Sequence, residues 1–283
     1  MENYFNSPDE VIRGNIKTGV VKAERPVGKM IMLGIMAGAF IALGGASSNV
    51  AVHGIADVGL SRALAGAIFP VGLMLIIMVG GELFTGNCLI SMAVLDGKTT
   101  LGKMFKNLVI VYCSNLVGAL IVDFLVFFSG ELNYSGGGLG AYTIKVALAK
   151  VTISPVAAVT SGILCNMLVC LAILMAGAAR DVAGKILAIF FPICAFVVGG
   201  FEHCVANMFY IPAGMLAATN PEYVAKAEEL YGITAQQCGS LTAMGALNNL
   251  VPVTIGNMIG GAVCIGVMYY YISVHKSADQ TKA

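Results

Sequence analysis

The sequence predicts an all-α membrane protein with six transmembrane helices in two inverted three-helix repeats, with helices 2 and 5 interrupted. Three observations predict this fold class: long stretches free of charged residues, related motifs in the two halves of the chain, and glycine-rich polar breaks inside two of the apolar stretches. The few polar residues within the apolar stretches therefore carry most of the functional information.

Apolar stretches account for most of the chain. Of its 283 residues, 58% are hydrophobic and 11% are charged, against about 25% charged in soluble domains. Because roughly 18 consecutive apolar residues suffice to cross a bilayer, these stretches predict membrane spans. The 35 glycines fit this interpretation, since small residues let membrane helices approach closely. The predicted spans cover residues 29–52, 62–95, 104–129, 154–178, 185–215 and 246–272.

The distribution of basic residues predicts the orientation. Of the 16 Lys and Arg residues, all but four fall on the termini or on loops that would share their side of the membrane. The four on the other side are Arg62, Lys145, Lys150 and Lys226. Because basic loops mark the cytoplasmic side, we expect both termini in the cytoplasm and the protein in the inner (plasma) membrane.

Two pairs of motifs repeat along the chain. "NLVIVYCSNLVG" (107–118) resembles "NLVPVTIGNMIG" (249–260), and "ELFTGN" (82–87) shares Glu-x-x-x-x-Asn with "EHCVAN" (202–207). The third span thus corresponds to the sixth, and the second to the fifth. With three spans in each half, the second copy must insert upside down relative to the first, which predicts an inverted repeat.

The Glu-x-x-x-x-Asn motifs lie at glycine-rich breaks in the two longest spans. Such breaks in corresponding spans point to a transport site near the membrane midplane, where freed backbone groups need partners. We expect Glu82, Glu202, Asn87 and Asn207 to brace the broken helices. The asparagines of the longer motifs are expected to bond across helices to loop backbone: Asn107, Asn115, Asn249 and Asn257.

His203 stands beside Glu202 in the middle of an apolar stretch. An ionisable side chain at the centre of a membrane helix costs about 2.5–3.5 kcal/mol and usually faces a cavity. Packing alone does not explain two such neighbours. We therefore interpret His203 as functional and Glu202 as a structural brace.

The polar segments outside the spans divide the chain into three parts. Residues 1–28 are predicted to form a cytoplasmic amphipathic helix: Ser7 and Glu10 make a capping-box pattern, and Ile12, Ile16 and Val20 then recur every four residues with basic residues between them. Residues 29–272 form the transmembrane domain, and residues 273–283 a cytoplasmic tail.

Two further local patterns lie on the opposite face. The run Ser-Gly-Gly-Gly at 135–138 predicts a flexible linker. Asn220 followed by Pro221 predicts a helix that runs to Tyr231, before Gly232.

Five strings together resemble the formate/nitrite transporter family: "GGELFTGN", "KNLVIVYCSNLVGAL", "GILCNMLVCLAI", "GFEHCVANMFYIPAG" and "NNLVPVTIGNMIGGA". The resemblance covers all six spans. It implies an aquaporin-like protomer, a homopentamer with one pore per protomer, and passage of small monovalent anions such as formate, nitrite and hydrosulfide. It implies no cofactor and no metal. The expected partners are these anions, the lipid bilayer and other copies of the chain, with no nucleic acid.

The resemblance also assigns roles residue by residue. His203 and Thr85 match the family's central polar pair, and Asn166 and Lys150 match its asparagine in the fourth span and its vestibule lysine. The matching apolar constrictions are Leu83, Phe196, Phe69, Leu73 and Val169. In this interpretation Lys150 attracts the anion, the apolar slit excludes hydrated ions, and His203 donates a hydrogen bond or a proton to the anion.

Three alternatives remain open from the residues. A neutral-solute pore of the aquaporin type shares the broken-helix plan, although the Asn-Pro-Ala pair of aquaporins is missing from this sequence. An ion-coupled secondary transporter is compatible with inverted repeats. An intramembrane enzyme is disfavoured, because the sequence contains no H-E-x-x-H, G-x-S-x-G or C-x-x-C.

Overall fold

The computed structural model describes residues 5–274, in which the regular elements are helical apart from one isolated β-bridge between Phe5 and Ala179. The predicted all-α class is therefore confirmed. Most of the predicted tail, including His275, lies outside the described residues. The α-helices are α1 (Pro8–Ala23), α2 (Val27–Val52), α3 (Val58–Ile68), α4 (Val71–Val79), α5 (Phe84–Asn87), α6 (Ser91–Leu95), α7 (Leu101–Ser129), α8 (Tyr134–Val151), α9 (Pro155–Ala178), α10 (Val182–Gly199), α11 (Cys204–Ala217), α12 (Pro221–Tyr231), α13 (Ala235–Cys238), α14 (Ala243–Met258) and α15 (Met268–Ser273). A π-helical stretch, Ile259–Val267, joins α14 to α15.

Six segments of the described chain are long and apolar enough to cross a membrane, which confirms the predicted number and order. The second and fifth differ from the prediction, because these long segments end at Val79 and Gly199. Shorter apolar helices follow each of them, Phe84–Leu95 and Cys204–Ala217. The six segments are Val27–Val52, Val58–Val79, Leu101–Ser129, Pro155–Ala178, Val182–Gly199 and Ala243–Ser273.

Glycines set the distance between the long helices. A Cβ atom on Gly38 of α2 would collide with the backbone of Asn115 in α7, and one on Gly118 of α7 with the carbonyl oxygen of Ile35. A Cβ atom on Gly256 of α14 would likewise collide with the backbone of α9. Because a larger side chain at such a point must push two backbones apart, these glycines determine how closely the helices that carry the site approach.

The N-terminal helix α1 begins as predicted and packs its apolar face on the protein. Both hydrogen bonds of the capping box between Ser7 and Glu10 are present, with Pro8 in the first turn. Ile12 and Ile16 are buried in one cluster with residues of α6, α9 and the π-helical stretch. The helix is thus held against the ends of the membrane spans by burial of its apolar face.

The predicted flexible linker at 135–138 is wrong. Ser135, Gly136 and Gly137 adopt left-handed backbone angles that kink the first turn of α8. This helix was not among the predicted elements. Gly140 is held against the ring of Tyr223, which leaves no room for a side chain there. The predicted helix over 221–231 is confirmed as α12, and its packing on α8 orders the glycine run.

Replacing Gly118 by Ala should destabilise the fold, because overpacking a close contact costs about 1–3 kcal/mol. Gly102, in the same helix, has open space around it and is the matched control. Its replacement by Ala should leave stability unchanged or raise it, since Gly is a poor helix former.

The measurement is the melting temperature of the detergent-solubilised protein, followed by size-exclusion chromatography after heating. A melting temperature for G118A equal to that of G102A would contradict the close packing of α2 on α7.

Candidate functional site

The chain leaves the helical conformation at residues 80–83, between α4 and α5, and at residues 200–203, between α10 and α11. The last two residues of each segment are buried. Gly80 has φ 108° and Gly200 has φ 70°, angles that favour glycine. The short helices α5 and α11 begin directly after these turns. Each break therefore brings unpaired backbone groups and a few polar side chains into an apolar surrounding.

One asparagine closes the first break. Asn115 of α7 accepts the N–H of Phe84 at 3.0 Å through Oδ1, and its Nδ2 donates to the carbonyl oxygens of Gly34 at 2.8 Å and Glu82 at 2.9 Å. Asn115 is fully buried. A single amide side chain thus satisfies the Phe84 N–H and the Glu82 carbonyl of the break and joins them to Gly34 in α2.

The second break is closed in the same way. Asn257 of α14 accepts the N–H of Cys204 at 2.9 Å, and its Nδ2 donates to the carbonyl oxygens of Gly162 at 2.8 Å and Glu202 at 2.9 Å. Each of these bonds has a counterpart around Asn115. The predicted contacts of both asparagines with loop backbone are confirmed by these bonds.

The two motif glutamates lie buried in matching networks. Glu82 accepts from Asn87 Nδ2 at 2.5 Å, and Lys22 Nζ and Arg25 Nε lie 3.5 Å and 3.3 Å from its carboxylate. Asn87 also donates to Asn107 at 2.8 Å. Two cations and an amide therefore offset one buried carboxylate, which would otherwise be strongly destabilising.

Glu202 has equivalent partners. Its carboxylate accepts from Asn207 at 2.7 Å and Asn249 at 3.2 Å, and Lys150 Nζ lies 2.5 Å away. Asn207 donates in addition to Asn249 at 2.7 Å. The predicted vestibule lysine, Lys150, is thus ion-paired with the glutamate next to His203.

Lys22 is the functional residue that the sequence analysis missed. Its backbone carbonyl accepts from Asn107, as the carbonyl of Lys150 accepts from Asn249. A signal was available, since Lys22 stands twelve residues before Gly34 as Lys150 stands twelve before Gly162. Its position inside an amphipathic helix concealed this correspondence.

His203 contacts Thr85 and caps the helix that follows it. Its Nδ1 accepts the backbone N–H of Ala206 at 3.0 Å, and its Nε2 lies 3.0 Å from Thr85 Oγ1. Because Nδ1 uses its lone pair as an acceptor, the proton of the neutral ring is on Nε2, which donates to the threonine hydroxyl. This capping bond favours the neutral imidazole, since protonation at Nδ1 would break it.

The apolar residues predicted as constrictions gather around the imidazole. Phe196 stacks on His203 with ring centroids 5.9 Å apart, and Phe69 meets Phe196 edge-on at 5.5 Å. A small cavity of about 10 Å³ lies between them, room for about one water molecule. It is lined by Ile41, Phe69, Leu73, Leu83, Val169, Ile193, Phe196 and His203. All five predicted constriction residues belong to this apolar slit.

A larger cavity of about 450 Å³ opens on the other side of the imidazole. Lys150 and Asn207 line it, and His203, Phe69 and Phe196 belong to both cavities. Thr85 and Asn166 line neither of the two: Asn166 lies behind Thr85 and donates to its carbonyl oxygen at 3.2 Å. Within the described residues, His203 is thus the polar group shared by the larger cavity and the apolar slit.

The sequence and the fold match known proteins over nearly their whole length. The family model described as "Formate/nitrite transporter" matches residues 9–271. The chain is 38% identical to the "Probable formate transporter" of Methanothermobacter thermautotrophicus, over 96% of this chain and 98% of that protein. It is 36% identical to the "Formate channel FocA" of Escherichia coli K12, over 92% of each. A solved "Pentameric formate channel with formate bound" superposes with a TM-score of 0.77 at 31% identity, covering 88% of this chain and 98% of that one.

Replacing Asn257 by Leu should destabilise the protein strongly. Two buried backbone groups of the break, the Cys204 N–H and the Glu202 carbonyl, would lose their partner, and each unsatisfied group costs about 1–3 kcal/mol. Thr254 of the same helix bonds the Tyr112 hydroxyl at 3.0 Å, a contact between side chains, so Thr254→Val should cost about 1 kcal/mol.

Thermal unfolding of the two variants beside the wild type measures this difference. Similar melting temperatures for N257L and T254V would mean that the bonds of Asn257 do not support the break.

Proposed function

The chain belongs to the formate/nitrite transporter family, and we propose that it is a membrane channel for small monovalent anions of weak acids: formate, nitrite or hydrosulfide. The observation that carries the proposal is His203, a hydrogen-bonding side chain between the larger cavity and the apolar slit. Proteins similar to it over nearly the full length are described as formate channels.

In this proposal the anion moves from the larger cavity past His203 into the slit. A slit with room for about one water molecule forces the anion to shed most of its hydration shell. Burying a charge in apolar surroundings is costly unless hydrogen-bond donors replace the lost water. His203 supplies such a donor at the point where the cavity narrows.

The donor is the Nε2–H group of His203. An arriving anion accepts the hydrogen bond that this group otherwise gives to Thr85. Thr85 Oγ1 accepts from His203 and keeps its own hydroxyl hydrogen for donation. Thr85 therefore acts as a positioning residue that fixes the imidazole ring, and the anion displaces its hydroxyl from the Nε2–H group. The capping bond of Nδ1 with Ala206 makes His203 a neutral donor in the resting state. A proton-linked mechanism requires this bond to break, and the pH profile of transport tests that.

The buried glutamates do not repel the anion in this proposal. Neither Glu82 nor Glu202 lines the larger cavity or the slit, and each is ion-paired. Their role is to brace the breaks, together with Asn87 and Asn207.

We infer that the two halves form inverted repeats and that the second and fifth membrane helices are interrupted at the two breaks. The matching bonds of Asn115 and Asn257 support this arrangement. A pentamer in the inner (plasma) membrane with both termini in the cytoplasm completes the proposal, since the solved formate channel that the chain resembles is described as pentameric. In this arrangement α1 covers the cytoplasmic ends of the spans.

Proteoliposomes containing the protein should take up formate, nitrite or hydrosulfide and should exclude chloride, which cannot be protonated near neutral pH. Uptake of labelled anions and shrinkage in glycerol are measured side by side, with empty liposomes as the control. Glycerol or water permeation without anion uptake would show a neutral-solute pore instead.

Replacing His203 by Ala should lower the anion flux about tenfold to a hundredfold, because a hydrogen bond to a charged group contributes about 1.5–3 kcal/mol. Since His203 also caps α11, Thr85 provides a second test that leaves the cap intact. Thr85→Val should lower the flux, whereas Thr85→Ser should retain most of it.

A donor role predicts that His203→Gln retains more flux than H203A and that its rate changes little with pH. If T85V and T85S transport equally well, the threonine hydroxyl has no positioning role.

A further inference from the structure

We propose that Arg62 and Lys145 form an outer anion site: a binding site for small carboxylates on the wall of the larger cavity, separate from Lys150 and His203. The inference rests on the proposed anion transport, but it concerns where the anion is first held. Arg62 comes from α3 and Lys145 from α8, and both side chains line the larger cavity.

The basic residues on this side of the protein are concentrated at the larger cavity. Four basic residues are expected on this side of the membrane, and three of them, Arg62, Lys145 and Lys150, line the cavity. The fourth, Lys226, pairs with Glu229 at 3.0 Å on α12. No Asp or Glu is among the residues that line the cavity. A cavity lined by one sign of charge concentrates ions of the opposite sign and speeds their association.

Lys150 does not supply the excess charge. Its ammonium lies 2.5 Å from the Glu202 carboxylate, so the two opposite charges largely cancel for an ion elsewhere in the cavity. Neither Arg62 nor Lys145 forms a salt bridge with a carboxylate in residues 5–274. The uncompensated positive charge of the cavity therefore belongs to these two side chains.

Their contacts hold them in place without neutralising them. Arg62 donates to the carbonyl oxygen of Val198 at 3.2 Å, which occupies one of its five N–H donors. Lys145 Nζ lies 4.4 Å from the ring centroid of Tyr231 and 5.9 Å from that of Tyr142. Such cation–π contacts are worth about 0.5–1 kcal/mol at exposed sites and leave the ammonium able to bind an anion.

The sizes of the two cavities determine what the site can hold. The larger cavity, about 450 Å³, accommodates anions much bigger than the slit of about 10 Å³ can pass. Two cations that line the same cavity suit a dicarboxylate, which is too large and too highly charged for the slit. We therefore expect malonate to bind at the outer anion site and to inhibit formate uptake from that side.

The test compares R62Q, K145Q and the double variant with the wild type. Formate uptake is measured in right-side-out and inside-out membrane vesicles. In one orientation only, the KM of the double variant should be about tenfold higher at low salt, with the maximal rate retained. The increase should shrink in about 1 M salt, where the screening length falls to about 3 Å.

Two control sets separate charge from structure. Lys226→Gln removes a lysine from the same face, outside the cavity, and should leave the KM unchanged. R62K with K145R keeps both charges and should restore the low KM, whereas a merely structural role of Arg62 would not be rescued by Lys.

Malonate binding gives a readout that does not depend on transport. Malonate should raise the melting temperature of the wild type in a saturable way, and not that of the double variant. Equal malonate responses together with equal KM values would overturn the outer anion site and leave the proposed channel intact. Absent formate uptake with a malonate response lost only in the double variant would overturn the channel and support the site.

Discussion

The structure depends on one constraint: backbone groups freed inside an apolar layer must find partners within the protein. Breaking two helices exposes such groups at residues 80–83 and 200–203, where no water from the bilayer can satisfy them. Asn115 and Asn257 solve the problem with the same three bonds each. Because these asparagines lie on the helices that glycines bring into close contact, the packing of the spans and the geometry of the site are determined together.

The two breaks are braced by matching residues, but they place different side chains at the slit. When Glu82 is placed on Glu202 and Asn87 on Asn207, Leu83 falls on His203. The first break thus contributes an apolar wall of the slit, and the second contributes a hydrogen-bond donor at the same place. The bracing residues common to both breaks hold Leu83 and His203 in place, and the histidine provides the polar contact in an otherwise apolar slit.

Much of this arrangement could be predicted from the sequence, and the remainder depended on contacts between distant residues. Hydropathy alone predicts the six spans. The repeated motifs identify Asn115 and Asn257, because a polar side chain buried in a membrane must hydrogen-bond within the protein. Helix α8 could not be predicted because its glycine-rich start is ordered by distant residues: the Tyr223 ring packs on Gly140, and His53 bonds Ser135 at 2.8 Å. The pairing of Lys150 with Glu202 likewise could not be predicted from the sequence, since 52 residues separate the partners.

The lysines that pair with the buried glutamates indicate that α1 and α8 occupy corresponding positions in the two halves of the chain. Lys22 lies in the last turn of α1 and Lys150 in the last turn of α8, so each reaches its glutamate from the end of a helix that precedes a long span. Moving α1 away would remove Lys22 and leave Glu82 with Asn87 and Arg25, so the buried carboxylate would lose one of its two cations. Helix α1 is therefore coupled to the first break through Lys22, as α8 is coupled to the second through Lys150. In structural terms it belongs to the first half of the channel, and a change in its position must also change the electrostatics of the break beside the slit.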